Sequence, residues 1–123
     1  RDQRAFARLM AQVFTLLVAV GRKAGDGLPD RATGAGLLCY ASGVDEEEAV
    51  RETVAVLKAA DLAPLEVTGY GTLTERLAEG HEIPEEERAL MARALAENAV
   101  IVAEMTPYFD DPGKAEAVTG ARG

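Results

Sequence analysis

Ala99-Val100-Ile101-Val102-Ala103-Glu104-Met105 is the stretch whose reading decides the fold. It can end a long helix that begins near Glu85, or it can be a strand of its own. Three β-branched residues in a row at 100–102 crowd a helix and suit a pleated sheet. Asn98, just ahead of them, suits a left-handed helix stop, and Thr106-Pro107 suits a strand end. The stretch is therefore expected to be a strand over 100–105, preceded by a helix from about Pro84 to Glu97. In that helix Pro84 opens the first turn and Glu85, Glu86 and Glu87 favour the positive end of the helix dipole.

Working backwards, Leu37-Leu38-Cys39-Tyr40-Ala41 is a short apolar run stopped by Ser42-Gly43, which predicts a buried strand. Asp45 with Glu48 has capping-box spacing and starts a helix with Val50, Val54 and Leu57 on its apolar face. Pro64 stops that helix, and Leu65, Val67 and Tyr70 give a further strand. Thr72 with Glu75 repeats the capping-box spacing ahead of a short helix that Gly80 ends. At the front, Phe6, Leu9, Met10, Val13, Phe14, Leu17 and Val20 fall at helical spacing, so a long N-terminal helix is expected over residues 2–24. Gly25, Gly27, Pro29, Gly34 and Gly36 then predict a flexible connection, with no phosphate-loop spacing in it.

The expected fold class is α+β: a small three-stranded sheet with crossover helices, similar in arrangement to part of a ferredoxin-like sandwich, preceded by a long N-terminal helix. The expected divisions are the helix at 1–24, a Gly/Pro linker at 25–36, one α/β domain at 37–111 and a mobile tail at 112–123. The long connection between the strands at 37 and 70 predicts that they run parallel. Three strands with helices on one face leave the other face uncovered. Burial of that face against the N-terminal helix or a second copy is the reason to expect a homo-oligomer, a dimer first of all.

Composition excludes some functions. The 123 residues carry 13 Lys and Arg against 21 Asp and Glu, a net charge of −8. Such a chain has no general basic face for nucleic acid. Aromatic residues are 5% with no Trp, which leaves little for stacking bases. The apolar run Val13 to Val20 is far shorter than a membrane helix requires. Arg4 and Arg8 precede that run as in a signal peptide, but charged Arg22 and Lys23 stand where a small-residue cleavage site belongs. A single cysteine, Cys39, fits a reducing, cytoplasmic setting. Residues 1–36 are net +3 and residues 37–111 net −12, so a basic protein partner is a further expectation.

Few residues stand out for chemistry. His81 lies between Glu79 and Glu82 in a turn, and one histidine among scattered glutamates has no metal spacing, so neither a metal nor another cofactor is expected. Cys39 sits inside an apolar strand, the setting of an inert thiol. Its neighbour Tyr40 points to the opposite sheet face and needs a hydrogen-bond partner if buried. The glutamate triplets at 46–48 and 85–87 read as solvated helix caps rather than acid–base pairs. Ligands favour the C-terminal ends of parallel strands, so Ser42, Tyr70 and Tyr108, with Asp110 and Asp111, form the candidate ligand-binding set. The functional expectation is a small acidic oligomeric interaction or regulatory module without catalysis. The alternatives are a small-molecule-binding protein or enzyme using the strand-end tyrosines and carboxylates, and an acidic inhibitor of a basic protein.

Overall fold

The computed structural model describes residues 10–109. Four strands, β1 (Gln12–Val20), β2 (Gly34–Gly43), β3 (Pro64–Thr72) and β4 (Val100–Tyr108), form one sheet in the order β3-β1-β2-β4, every neighbouring pair antiparallel. Three helices, α1 (Glu46–Ala59), α2 (Leu73–Ala78) and α3 (Glu85–Glu97), complete an α+β architecture. The decisive stretch is a strand, as its β-branched run predicts, and β4 extends it to Tyr108.

The sheet has four strands rather than three, because residues 12–20 form one of its two inner strands and not a helix. Residues 2–9 of the expected N-terminal helix lie outside the described residues, as do Asp110, Asp111 and the tail at 112–123, and residues 21–24 are loop and turn rather than helix. The physical reason for the correction is double burial. Phe14, Leu16, Val18 and Val20 point to one face, and Val13, Thr15, Leu17 and Ala19 to the other. A strand covered on both sides is apolar at consecutive positions, so its pattern also satisfies helical spacing.

On the first face, Leu16, Val18, Leu37, Cys39 and Ala41 pack against Ala49 and Leu57 of α1. On the second, Val13 and Tyr40 pack against Ile83 and against Met91 and Ala94 of α3, with Leu38, Leu73, Leu90 and Ile101 beside them. Helices of the same chain thus lie on both faces. This removes the ground on which a second copy was needed, and it departs from a two-layer ferredoxin-like sandwich. β2 and β3 do run in the same direction, since each is antiparallel to β1, but β1 lies between them.

The C-terminal end of the Gly/Pro segment belongs to the sheet. Gly34 and Gly36 belong to β2, and a Cβ at Gly36 would overlap the Tyr108 hydroxyl, so the missing side chain seats that ring. In the 21–33 loop, the Asp26 carboxylate accepts from Lys23 N (2.8 Å), Leu28 N (3.0 Å) and Arg22 Nε (3.0 Å). Arg22 Nη1 donates onward to the carbonyls of Pro29 (2.9 Å) and Ala32. Leu28 and Ala32 then drop into the core on the α1 side. The register of β4 slips beside Leu38 and Cys39, where Ala103 is the extra residue, and β3 slips at both ends of its pairing. Pro64 opens β3 and Pro107 lies in β4.

The Arg22 guanidinium and the two backbone N–H donors hold Asp26 at a pKa of about 2, below its usual 3.8. A carboxylate depressed on folding stabilises the fold above its unfolded pKa, and that contribution is lost as pH falls through the folded value. Acid unfolding of the parent chain should therefore steepen between about pH 4 and pH 2. Asp26→Asn, followed by circular dichroism, should be less stable at pH 7 and lose part of that acid dependence.

Candidate functional site

Two successive cross-strand pairs build the floor of a groove on the α3 side of the sheet. Thr15 of β1 faces Tyr40 of β2, and Leu17 faces Leu38 one step along the same face. The first pair is a polar row and the second an apolar one. Thr15 and Tyr40 are both buried, at 3% and 0% exposure, so their hydroxyls require partners.

The partners come from the two segments that wall the groove. Thr72 caps α2, accepting from Glu75 N (3.1 Å), while Glu75 Oε1 accepts from Thr72 N (2.9 Å). One turn on, Arg76 Nη1 donates to Thr15 Oγ1 (3.0 Å) and its Nε donates to His81 Nδ1 (3.2 Å). His81 is returned to Arg76 by the helix end. Gly80, at φ 87°, lets its N–H reach Leu77 O (3.1 Å) and the His81 N–H reach Arg76 O (3.0 Å), a Schellman closure. Because Nδ1 accepts from the guanidinium, the His81 ring carries its proton on Nε2, which lies 3.5 Å from Glu79 Oε1.

On the opposite wall, the Tyr40 hydroxyl donates to Glu87 Oε1 at 2.8 Å from the first turn of α3. Burial pushes the Tyr40 pKa up to about 12, the Glu87 carboxylate adds to the rise, and Arg76 opposes it. Tyr40 is thus a fixed phenol donor at neutral pH. The space between the walls divides into two adjoining pockets. One, of about 290 Å³, is lined by Thr15, Leu17, Leu38, Tyr70, Arg76, His81 and Glu87. The other, of about 380 Å³, runs on over Leu38 and Tyr40 to Pro84, Leu90, Ala103 and Glu104. Both are sized for a small organic molecule.

Arg76 has no carboxylate partner among the described residues, where the ion pairs are Arg22–Asp26 and Arg93–Glu97 and Glu79 approaches His81 Nε2. A half-buried guanidinium held only by neutral acceptors, in a chain this acidic, keeps its charge available for an anion.

Of the residues singled out from sequence, Tyr70 lines this groove. Tyr108 does not join it: it pairs with Gly34 at the opposite end of β2 from Ser42. Ser42 lines a separate pocket beside Asn98 and Ala99. Cys39 is fully buried on the α1 face, and burial pushes its thiol up to about 11, as expected of an inert cysteine. Among the described residues no cluster of His, Cys, Asp or Glu could hold a metal, and no helix is long and apolar enough to cross a membrane. Sequence reasoning missed Arg76, Thr15 and Glu87. The usable signals were the Thr72–Glu75 cap, which orients α2, and the buried hydroxyl of Tyr40, which demanded a partner.

The fold and groove define a small domain with a central antiparallel sheet, helices on both faces and a guanidinium in its cleft. Residues 13–109 match a family model described as Domain of unknown function (DUF8846), and the chain belongs to that family. No curated protein and no solved structure matches the chain.

Removing the Tyr40 hydroxyl leaves Glu87 without its buried donor. A group whose pKa rises on folding stabilises the fold below its unfolded pKa and loses that contribution as pH climbs through the folded value. For Tyr40 the window is pH 10 to about 12. Tyr40→Phe should lower Tm at pH 8 and flatten the alkaline loss of stability across that window, as measured by thermal melts in a pH series.

Proposed function

We propose that this domain binds a small organic anion in the groove over Leu17 and Leu38. The observation that carries the proposal is Arg76, positioned by Thr15 and His81 and lacking any acidic partner among the described residues. A carboxylate placed there meets a planar fork of donors with Tyr70 beside it, while the two leucines take an apolar body. On the opposite wall of the same pocket Glu87 is an acceptor, so the ligand also carries a hydroxyl or N–H donor. The domain acts by binding, and the groove requires no catalytic step to account for its residues.

The test is a thermal-shift panel of small carboxylic acids, with their amides as neutral controls. Acids with a distal donor should raise Tm in a saturable manner and the amides should not. Arg76→Met should remove the shift while the unliganded Tm changes by only a few degrees. Equal shifts with acids and amides would eliminate the anion reading.

A second reading, a self-associating interaction module, is favoured by β4. Val102 and Met105, on the α1 side of this outer strand, are each more than 40% exposed, an adjacent pair of apolar side chains that suits a protein contact. Light scattering across a dilution series should then report a dimer that Met105→Glu dissociates. A monomer at every concentration removes this reading and leaves the first untouched.

A further inference from the structure

The groove holds a second charge that an anion alone does not answer. Arg76 and Glu87 line the same pocket, yet neither forms an ion pair with the other or with any other described residue. Both are partly buried. Arg76 uses Nε on His81 Nδ1 (3.2 Å) and Nη1 on Thr15 Oγ1 (3.0 Å), which leaves Nη2. Glu87 uses Oε1 on the Tyr40 hydroxyl (2.8 Å), which leaves Oε2. The two charges meet at Tyr40, whose buried phenol is bonded to Glu87 and also feels the Arg76 charge.

Opposite charges that share a cleft without neutralising one another suit a ligand that carries both signs. A simple carboxylate gains the Arg76 fork but is repelled by Glu87 on the opposite wall. A hydroxyl gives Glu87 a hydrogen bond and leaves its charge uncompensated. An ammonium beside the carboxylate answers both walls with charge-assisted bonds. The apolar surface fixes the rest of the molecule. Leu38 and Glu87 belong to both adjoining pockets, so an ammonium at Glu87 stands at their junction, with the Arg76 pocket on one side. On the other side Pro84, Leu90 and Ala103 help to enclose about 380 Å³, room for a branched aliphatic chain. Glu86 and Glu104, exposed along that pocket, disfavour a second anionic group there.

We infer that the ligand of this groove is a zwitterionic α-amino acid with an aliphatic side chain. Its carboxylate lies on Arg76, its ammonium on Glu87 and its side chain over Leu38 and Leu90. This rests on the anion-binding reading and narrows it to one chemical class.

The test is isothermal titration calorimetry with L-leucine, 4-methylpentanoate, 2-hydroxy-4-methylpentanoate and leucinamide. Leucine should bind saturably, about tenfold or more tighter than either acid lacking the ammonium, and leucinamide should not bind measurably. Glu87→Gln should weaken leucine about tenfold while 4-methylpentanoate binds as well as before or better, which also shows that the groove is intact. If 4-methylpentanoate or the hydroxy acid binds the parent chain as tightly as leucine, the amino-acid inference is overturned and the anion reading stands. Leucinamide binding as tightly as leucine would overturn both. Absence of binding by all four ligands overturns the inference, and the wider panel of acids and amides then decides the anion reading separately.

Discussion

Everything in this structure depends on β1 being buried on both faces while paired on both edges. It hydrogen-bonds to β2 on one side and β3 on the other. Leu16 and Val18 have no exposed surface on the α1 side, and Val13 and Thr15 are covered on the other. A strand in that position forces helical cover above and below the sheet, which α1 and the α2–α3 pair provide. Apolar burial of this kind is the main driving force for folding. It also explains how the chain manages with so few aromatic residues: Val, Leu and Ala fill thin layers on either side of one central ladder.

The same constraint sets what can be read in advance. Local signals are legible wherever they are chemical. Asp45 with Glu48, Thr72 with Glu75 and left-handed Asn98 stand where their side chains predict, and Asp45 and Thr72 each accept the expected backbone N–H. The β-branched run at 100–102 identifies β4. Residues 13–20 read as helix because burial from both directions erases the alternation that marks a strand. Once that strand is taken for a helix, the sheet loses its centre and one of its faces looks uncovered. The expectation of parallel strands survives in direction but not in adjacency, since the missing strand lies between them.

The groove is legible only in fragments. Tyr40 can be placed on the face opposite Cys39, and its hydroxyl can be flagged as needing a partner. The identity of that partner, Glu87, lies 47 positions away, and Arg76 reaches Thr15 across 61 positions. No spacing rule spans such distances, because the contacts exist only after β3 has crossed to the far side of β1. What looks in the sequence like a solvated glutamate triplet supplies, through Glu86 and Glu87, part of a wall of the cleft.

The outer ladders have a consequence for the chain in crowded solution. Both are interrupted by a register slip and a proline, Pro64 in β3 and Pro107 in β4. Among the described residues neither rim is paired, and a rim broken in this way is a poor template for recruiting another backbone. Growth of the layer into amyloid-like ribbons is thereby discouraged, even though the interior is rich in valine and leucine. Any association between copies must rely on side chains meeting side chains, which is reversible and tunable by single substitutions.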